Sequence, residues 1–387
     1  MAREPVIVGV ADAALERGRL REAGTDLQVQ ALTVRRALDE AGLEMEEVDG
    51  LLTAGMWGQP GPGAMATVTV GEYLGIRPRF VDGTNIGGAA FEAHLAHAAM
   101  AVEAGYCDVA VITYGSTQKS SRSRKLGGRP PVLNMQFQEP WGLHNPLGGY
   151  ALAAMRHMHE FGTTGEQLAE IAVAARGWAG LNPAATRREP LTVDDVLASP
   201  MISDPLHALD ACLVTDGGGA VVVTTAERAR DLDVTPVHVR GYAEGQTHLN
   251  ILSMPDLTTT TAAQTGPRAM QMAGVRHDDI DVVEVYDSFT ITVLVTLEAL
   301  GFCGRGEGGA FVSGGRIAPG GDFPLNTNGG GLSCAHPGMY GIFLIIEAVR
   351  QLRGECGERQ VPNARTALVN GTGGMLSSTA TCVLGLD

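Results

Sequence analysis

His336 and Tyr340 stand four residues apart in "GGGLSCAHPGMYGIFLIIEAVRQL" (329–352), behind three glycines and ahead of an apolar helix. The first N–H groups of a helix have no internal partner, so a glycine-rich turn there suits a ligand's polar group. An imidazole and a phenol beside such a turn can polarise a carbonyl or move a proton. Cys334, two residues before His336, adds a possible nucleophile. The other cysteines, Cys107, Cys212, Cys303, Cys356 and Cys382, lie far apart, with no C-x-x-C pair and no zinc-finger spacing. No metal and no disulfide framework is therefore expected.

The formal charge of −15 over 387 residues argues against nucleic acid or an anionic membrane as partner. A local exception is "KSSRSRKLGGR" (119–129), which gathers Lys119, Arg122, Arg124, Lys125 and Arg129. Such a run is either a solvated loop or a grip on phosphates or an acidic partner. "MWGQPGPGAM" (56–65) is a Pro/Gly loop whose Trp57 faces a pocket or an interface. The N-terminus "MAREPVIVGVADA" has no long apolar stretch, and no segment reaches transmembrane length, so a cytoplasmic protein is expected.

The elements that position these residues come twice. "RALDEAGLEMEEVDGL" (36–51) aligns without a gap on "RAMQMAGVRHDDIDVV" (268–283), and "PVIVGVA" (5–11) on "PVHVRGYA" (236–243) at nearly the same offset. Two matches in register indicate a duplication. Each copy reads as a short strand, a helix, a buried strand, a glycine-rich turn, a long helix (about 89–104; about 340–353) and a further apolar strand. The alternation predicts α/β layers of parallel sheet with helices on both faces. The halves divide as 1–230 and 231–387. The first carries an insert over about 117–213, at the end of a core strand, where a cap over a binding site is common.

The motifs "GGAAFEAHLAHAAMAVEAGYCDVAVITYGS" (87–116), "MISDPLHALDACLVTDGGGA" (201–220), "EVYDSFT" (284–290), "GLSCAHPGMYG" (331–341) and "VNGTGG" (369–374) resemble the thiolase superfamily, and more narrowly its sterol-carrier-protein-x type. The resemblance implies a five-layered αβαβα fold, coenzyme A as part of the substrate with no covalently bound cofactor, and a homodimer paired through an edge strand. It also implies acyl-CoA chemistry, with Gly87, Gly88, Gly371, Gly373, Gly374 and Asp287 around the substrate. Arg122, Arg124 and Lys125 become candidates for CoA or partner binding.

Two departures from that family redirect the chemistry. The nucleophilic cysteine should fall at or next to Gly88, and there is none between Val81 and Tyr106. The C-terminal C-x-G cysteine is missing from "NGTGGMLS" as well. Acyl transfer then has no carrier, whereas stabilisation of a thioester enolate, through His336, survives. Tyr286 and Tyr340 stand at two former thiolase positions and supply the acid and the base of a retro-aldol cleavage. This resembles the steroid side-chain-cleaving aldolases, which split a 17-hydroxy steroid-20-carboxyl-CoA into a 17-ketosteroid and propionyl-CoA beside a small OB-fold/zinc-ribbon partner. The competing readings are an acyltransferase using Cys334 or Cys107, and a non-catalytic acyl-CoA-binding scaffold. Tyr286, Tyr340 and His336 also have ordinary explanations, as a core tyrosine, a helix-start packing residue and a turn-holding histidine.

Overall fold

The computed structural model describes residues 3–55, 65–122 and 136–387. The first half contains β1 (Pro5–Asp12), α1 (Asp26–Ala41), β2 (Gly50–Leu52), β3 (Phe80–Asp82), α2 (Ala90–Glu103) and β4 (Val109–Ser116). The insert adds α3 (Leu147–Phe161) and α4 (Gly165–Leu181) before β5 (Gly217–Thr225). The second half runs β6 (Val237–Gln246), α5 (Ala262–Ala273), β7 (Val282–Val285), α6 (Thr290–Leu300), α7 (Gly341–Arg353), β8 (Thr366–Gly373) and β9 (Ser378–Gly385).

The duplication is visible in atomic detail. Both α1 and α5 end on a glycine in the left-handed conformation, Gly42 (φ 67°) and Gly274 (φ 71°). The first strand of each half is bulged just before a glycine. A Cβ at Gly9 would fall 1.9 Å from the Ala37 carbonyl oxygen, and one at Gly241 would fall 2.1 Å from that of Ala269. Each glycine thus lets a strand and its helix touch backbone to backbone at the same place in the repeat.

The nine strands form one sheet in the order β7-β8-β9-β6-β1-β5-β4-β2-β3, the halves meeting where Val6 pairs with His238 and Ile7 with Val237. Helices α2 and α7 pack against strands of both halves and form the middle layer, while α1 and α5 cover the outer faces. This is the αβαβα layering expected. The sheet is mixed rather than parallel, which corrects the sequence expectation. Only β2–β3, β2–β4 and β7–β8 run parallel. Parallel neighbours need a crossover, whereas β8 and β9 are joined by a tight turn that forces antiparallel pairing. Among the described residues no helix is long and apolar enough to cross a membrane.

Candidate active site

Three elements of the second half converge on one point. Tyr286 follows the last residue of β7, and its N–H donates to the Asn370 carbonyl of β8 at 2.9 Å. Tyr340 is the residue that precedes α7. His336 lies on the loop between them and is held by its backbone, its N–H donating to Thr215 Oγ1 at 3.0 Å. The Tyr114 hydroxyl donates to the Pro337 carbonyl at 2.6 Å and fixes the next residue.

The loop itself is pinned by Asp287. Its carboxylate accepts the N–H groups of Gly331 at 2.6 Å and Leu332 at 3.0 Å. Burial nevertheless pushes the Asp287 carboxyl up to about 7, against the lowering effect of those N–H groups. Gly330 has φ 62°, and a Cβ there would lie 2.0 Å from Asp287 Oδ2, so only glycine fits. Behind the loop, Thr327 Oγ1 lies 2.8 Å from both Glu284 and Glu347, and Arg359 clamps Glu347 with two 2.9 Å bonds.

Tyr286 Oη and His336 Nε2 are 2.9 Å apart, a distance at which the pair holds one proton between phenol and imidazole. The two rings are nearly perpendicular, at 88° with centroids 5.6 Å apart, and Tyr340 lies parallel to His336 at 15° and 6.1 Å. Tyr340 Oη donates to Asn328 Oδ1 at 2.9 Å, and the same oxygen accepts the Gly330 N–H at 2.7 Å. All three side chains are buried, at 4% exposure for Tyr286 and His336 and 0% for Tyr340. Burial raises both phenols well above their ordinary value, opposed by the Tyr340 N–H at Tyr286 and by Asn328 at Tyr340. At neutral pH both tyrosines therefore carry their protons.

Residues 243–386 match the family described as thiolase C-terminal domain-like. An acetyl-CoA acetyltransferase of Methanothermobacter thermautotrophicus is 34% identical, covering 87% of this chain and 88% of that protein. The chain belongs to the thiolase superfamily. Within it, a 17-hydroxy-3-oxo-4-pregnene-20-carboxyl-CoA lyase of Mycobacterium tuberculosis is 35% identical, covering 90% of each chain. A solved structure titled Ltp2-ChsH2(DUF35) aldolase superposes with a TM-score of 0.87 at 32% identity, covering 100% of this chain and 98% of that one.

At Gly88, at or next to which the family's nucleophile would fall, there is no space for a side chain. A Cβ at Gly88 would lie 2.2 Å from Cε2 and 2.5 Å from Cζ of Tyr286, and 2.5 Å from the Thr372 carbonyl. The absent cysteine therefore leaves no room for a steroid ring at this point, because the tyrosine ring fills it. Gly87 (φ 75°) abuts Gly373 and Gly374, Gly373 abuts the Ile86 carbonyl, and Gly371 abuts Glu92. These glycines bring the turn and the end of β8 together, with Tyr286 between.

Of the thiols in the acyltransferase reading, Cys107 lies in the core with its thiol pushed up to about 12 by burial and then by Asp49 and Asp108. Burial raises Cys334 as well. The thiol whose field reaches Tyr286 is Cys212, in the segment that leads into β5, and sequence reasoning did not single it out. Tyr150 of α3 also acts on Tyr286, donates to the Gly374 carbonyl at 2.9 Å and lies 4.5 Å from the Phe289 ring. The insert thus reaches the site with α3. A cavity of about 320 Å³ touches Asn328 and Cys334 but neither Tyr286 nor His336. In the basic run, Lys119 Nζ donates to the Arg17 carbonyl at 2.5 Å and Arg122 is exposed. Arg124, Lys125 and Arg129, like Trp57, lie outside the described residues.

Proposed function

We propose that this chain is a retro-aldol carbon–carbon lyase acting on a 17-hydroxy steroid-20-carboxyl-CoA, giving a 17-ketosteroid and propionyl-CoA. The observation that carries this reading is the Tyr286 ring against Gly88, where acyl transfer would need a thiol. The lyase and aldolase relatives support the substrate class.

In the reaction the 17-hydroxyl loses its proton, its oxygen becomes the ketone, and the bond between C17 and the carbon next to the thioester breaks. The electron pair moves into the thioester enolate, whose carbon then takes up a proton, so protons balance. Tyr286 is the group that receives the hydroxyl proton. Its buried phenolate is unfavourable alone, and His336, 2.9 Å away, relieves this by taking the phenol's proton as the hydroxyl gives up its own. Tyr340, protonated at rest, donates to the enolate carbon. His336 carrying that proton also supplies positive charge near the enolate, which lowers the barrier further.

We place coenzyme A on this chain as part of the substrate, with the 119–129 run as the candidate grip on its phosphates or on an acidic partner. The partner we propose is a small OB-fold/zinc-ribbon protein, on the strength of the Ltp2-ChsH2 structure. A second copy of this chain is the other partner proposed, because β3 is a sheet edge that carries exposed Val81, with exposed Tyr106 near it. Among the described residues no disulfide is formed, which suits the reducing cytoplasm we propose for this chain.

Incubating the chain and its partner with the steroid-CoA in D2O tests the reaction. The expected products are the 17-ketosteroid and propionyl-CoA carrying one deuterium next to the thioester. Thioester exchange with free CoA and no ketone would instead establish an acyltransferase.

A further inference from the structure

Glu92 lies one helical turn beyond Gly88 on α2, with no solvent exposure. Among the described residues neither of its carboxyl oxygens has a hydrogen-bond partner. The space it occupies exists because two neighbours are glycines. A Cβ at Gly371 of β8 would stand 2.1 Å from Glu92 Oε2, and one at Gly341, the first residue of α7, 2.4 Å from it. The Gly88 carbonyl oxygen lies 2.4 Å from that same Gly341 point. The carboxyl therefore sits between the turn that supports the Tyr286 ring and the helix start that follows Tyr340.

A carboxylate in that position would have the Gly88 carbonyl oxygen near it and no donor from another residue, which is costly in a dry core. A carboxylic acid has one donor, and the Gly88 carbonyl is the acceptor beside it. We propose that Glu92 is a positioning residue that works as a neutral carboxylic acid, its O–H tying the Gly88 turn to the start of α7 and so setting the spacing of Tyr286 and Tyr340. This rests on the reading of those tyrosines as the proton-transfer pair.

The surroundings agree with a neutral group. Burial pushes the Glu92 carboxyl up to about 8, against a lowering effect of its own backbone N–H, and no charged neighbour offsets it. From β9 comes Cys382, whose Sγ donates to the Glu92 backbone carbonyl at 3.4 Å and whose thiol is raised well above its ordinary value by burial, then by Glu92 and Glu244 of β6. From β8 comes Gly371, and from α7 the backbone of Gly341. On α2 itself, His94 is held below its ordinary value by burial and stays uncharged. Ionisation above pH 8 then sets a negative charge against the Gly88 carbonyl and loosens the turn.

The test compares wild type, Glu92→Gln and Glu92→Met. In wild type, kcat should fall as pH rises through about 8 while KM holds. Glu92→Gln, which keeps an N–H donor and cannot ionise, should stay within about fivefold of wild-type kcat at pH 7 and lack that alkaline fall. Glu92→Met, which removes the donor, should fold with a normal near-ultraviolet spectrum and lose about 10- to 100-fold in kcat with KM unchanged. Infrared spectra give a readout independent of turnover. A protonated carboxylic C=O band should be present at pH 7, vanish as pH passes 8, and be missing from Glu92→Gln. An alkaline fall retained in Glu92→Gln, or no band sensitive to that substitution, overturns the proposal. If the steroid-CoA is not cleaved at all, the function reading fails, and the infrared arm still decides the state of Glu92.

Discussion

Gly88 and Tyr286 are complementary: a Cβ on the first would lie 2.2 Å from a ring carbon of the second. One position lies in the turn before α2 of the first half, the other at the end of β7 in the second. A side chain at Gly88 and the tyrosine at the strand end cannot both occupy this space. The Tyr286 ring therefore excludes a thiol at Gly88.

Gly88→Ala tests that packing. The added methyl meets both the Tyr286 ring and the rigid Thr372 carbonyl, and a forced insertion of this kind costs about 1–3 kcal/mol. We expect a lower Tm and at least about a tenfold fall in kcat, because the displaced ring leaves His336. Wild-type stability with full turnover would mean that the ring has other space.

No cysteine should be needed for activity. The thiols of Cys107 and Cys303 are both pushed up to about 12 by burial, and those of Cys334 and Cys382 are raised too. Thiols kept protonated are poor nucleophiles. Cysteine-to-serine changes at Cys107, Cys212, Cys334 and Cys382, one at a time, should keep kcat within about tenfold, and iodoacetamide should not abolish turnover. Loss beyond about 10³-fold at any one of them, with folding intact, would restore a covalent mechanism.

The sequence made the duplicated fold legible because the two copies share turn and helix punctuation, Gly42 with Gly274 and Gly9 with Gly241. The mixed pairing was hidden, since period and burial do not encode strand direction. Tyr286, His336 and Tyr340 were each visible through family motifs. The 2.9 Å contact that joins the first two depends on a loop 50 residues downstream and on Thr215 across the chain. Glu92, Asn328, Tyr150 and Cys212 were missed because each owes its importance to neighbours from other elements. For Glu92 the available signal was Gly341 and Gly371, two glycines at element positions where a side chain is usual.

Asp287 gives a pH prediction whose sign is fixed. Its carboxyl is pushed up to about 7 in the folded chain, above an unfolded value of about 3.9. The folded state therefore binds this proton more tightly, and the group's contribution to stability is present at low pH and lost as pH rises from about 4 through 7. Asp287→Asn, which does not titrate, should flatten that part of the stability curve in urea unfolding. It should also cost about 1–3 kcal/mol, since an amide nitrogen would face the Gly331 or Leu332 N–H. An unchanged slope would remove Asp287 from the titration.

The edge strand makes a prediction about assembly. Val81 on β3 is 52% exposed and Tyr106 beside it 68%. If two copies pair there, wild type sediments as a dimer and Val81→Lys weakens association at least about tenfold, as charge on an edge strand blocks pairing. A wild-type monomer, or a dimer indifferent to Val81→Lys, would place the interface elsewhere.

The central claim is that phenol hydroxyls, not a thiol, carry out the cleavage, and kcat of Tyr286→Phe with the steroid-CoA measures it most directly. The ring and its packing against Gly88 are kept, so only the hydroxyl shared with His336 is lost. General acid–base catalysis contributes about 10²–10⁴-fold, so kcat should fall at least about 100-fold while substrate binding and Tm hold, and Tyr340→Phe should do the same. Near-wild-type turnover in Tyr286→Phe would contradict the account.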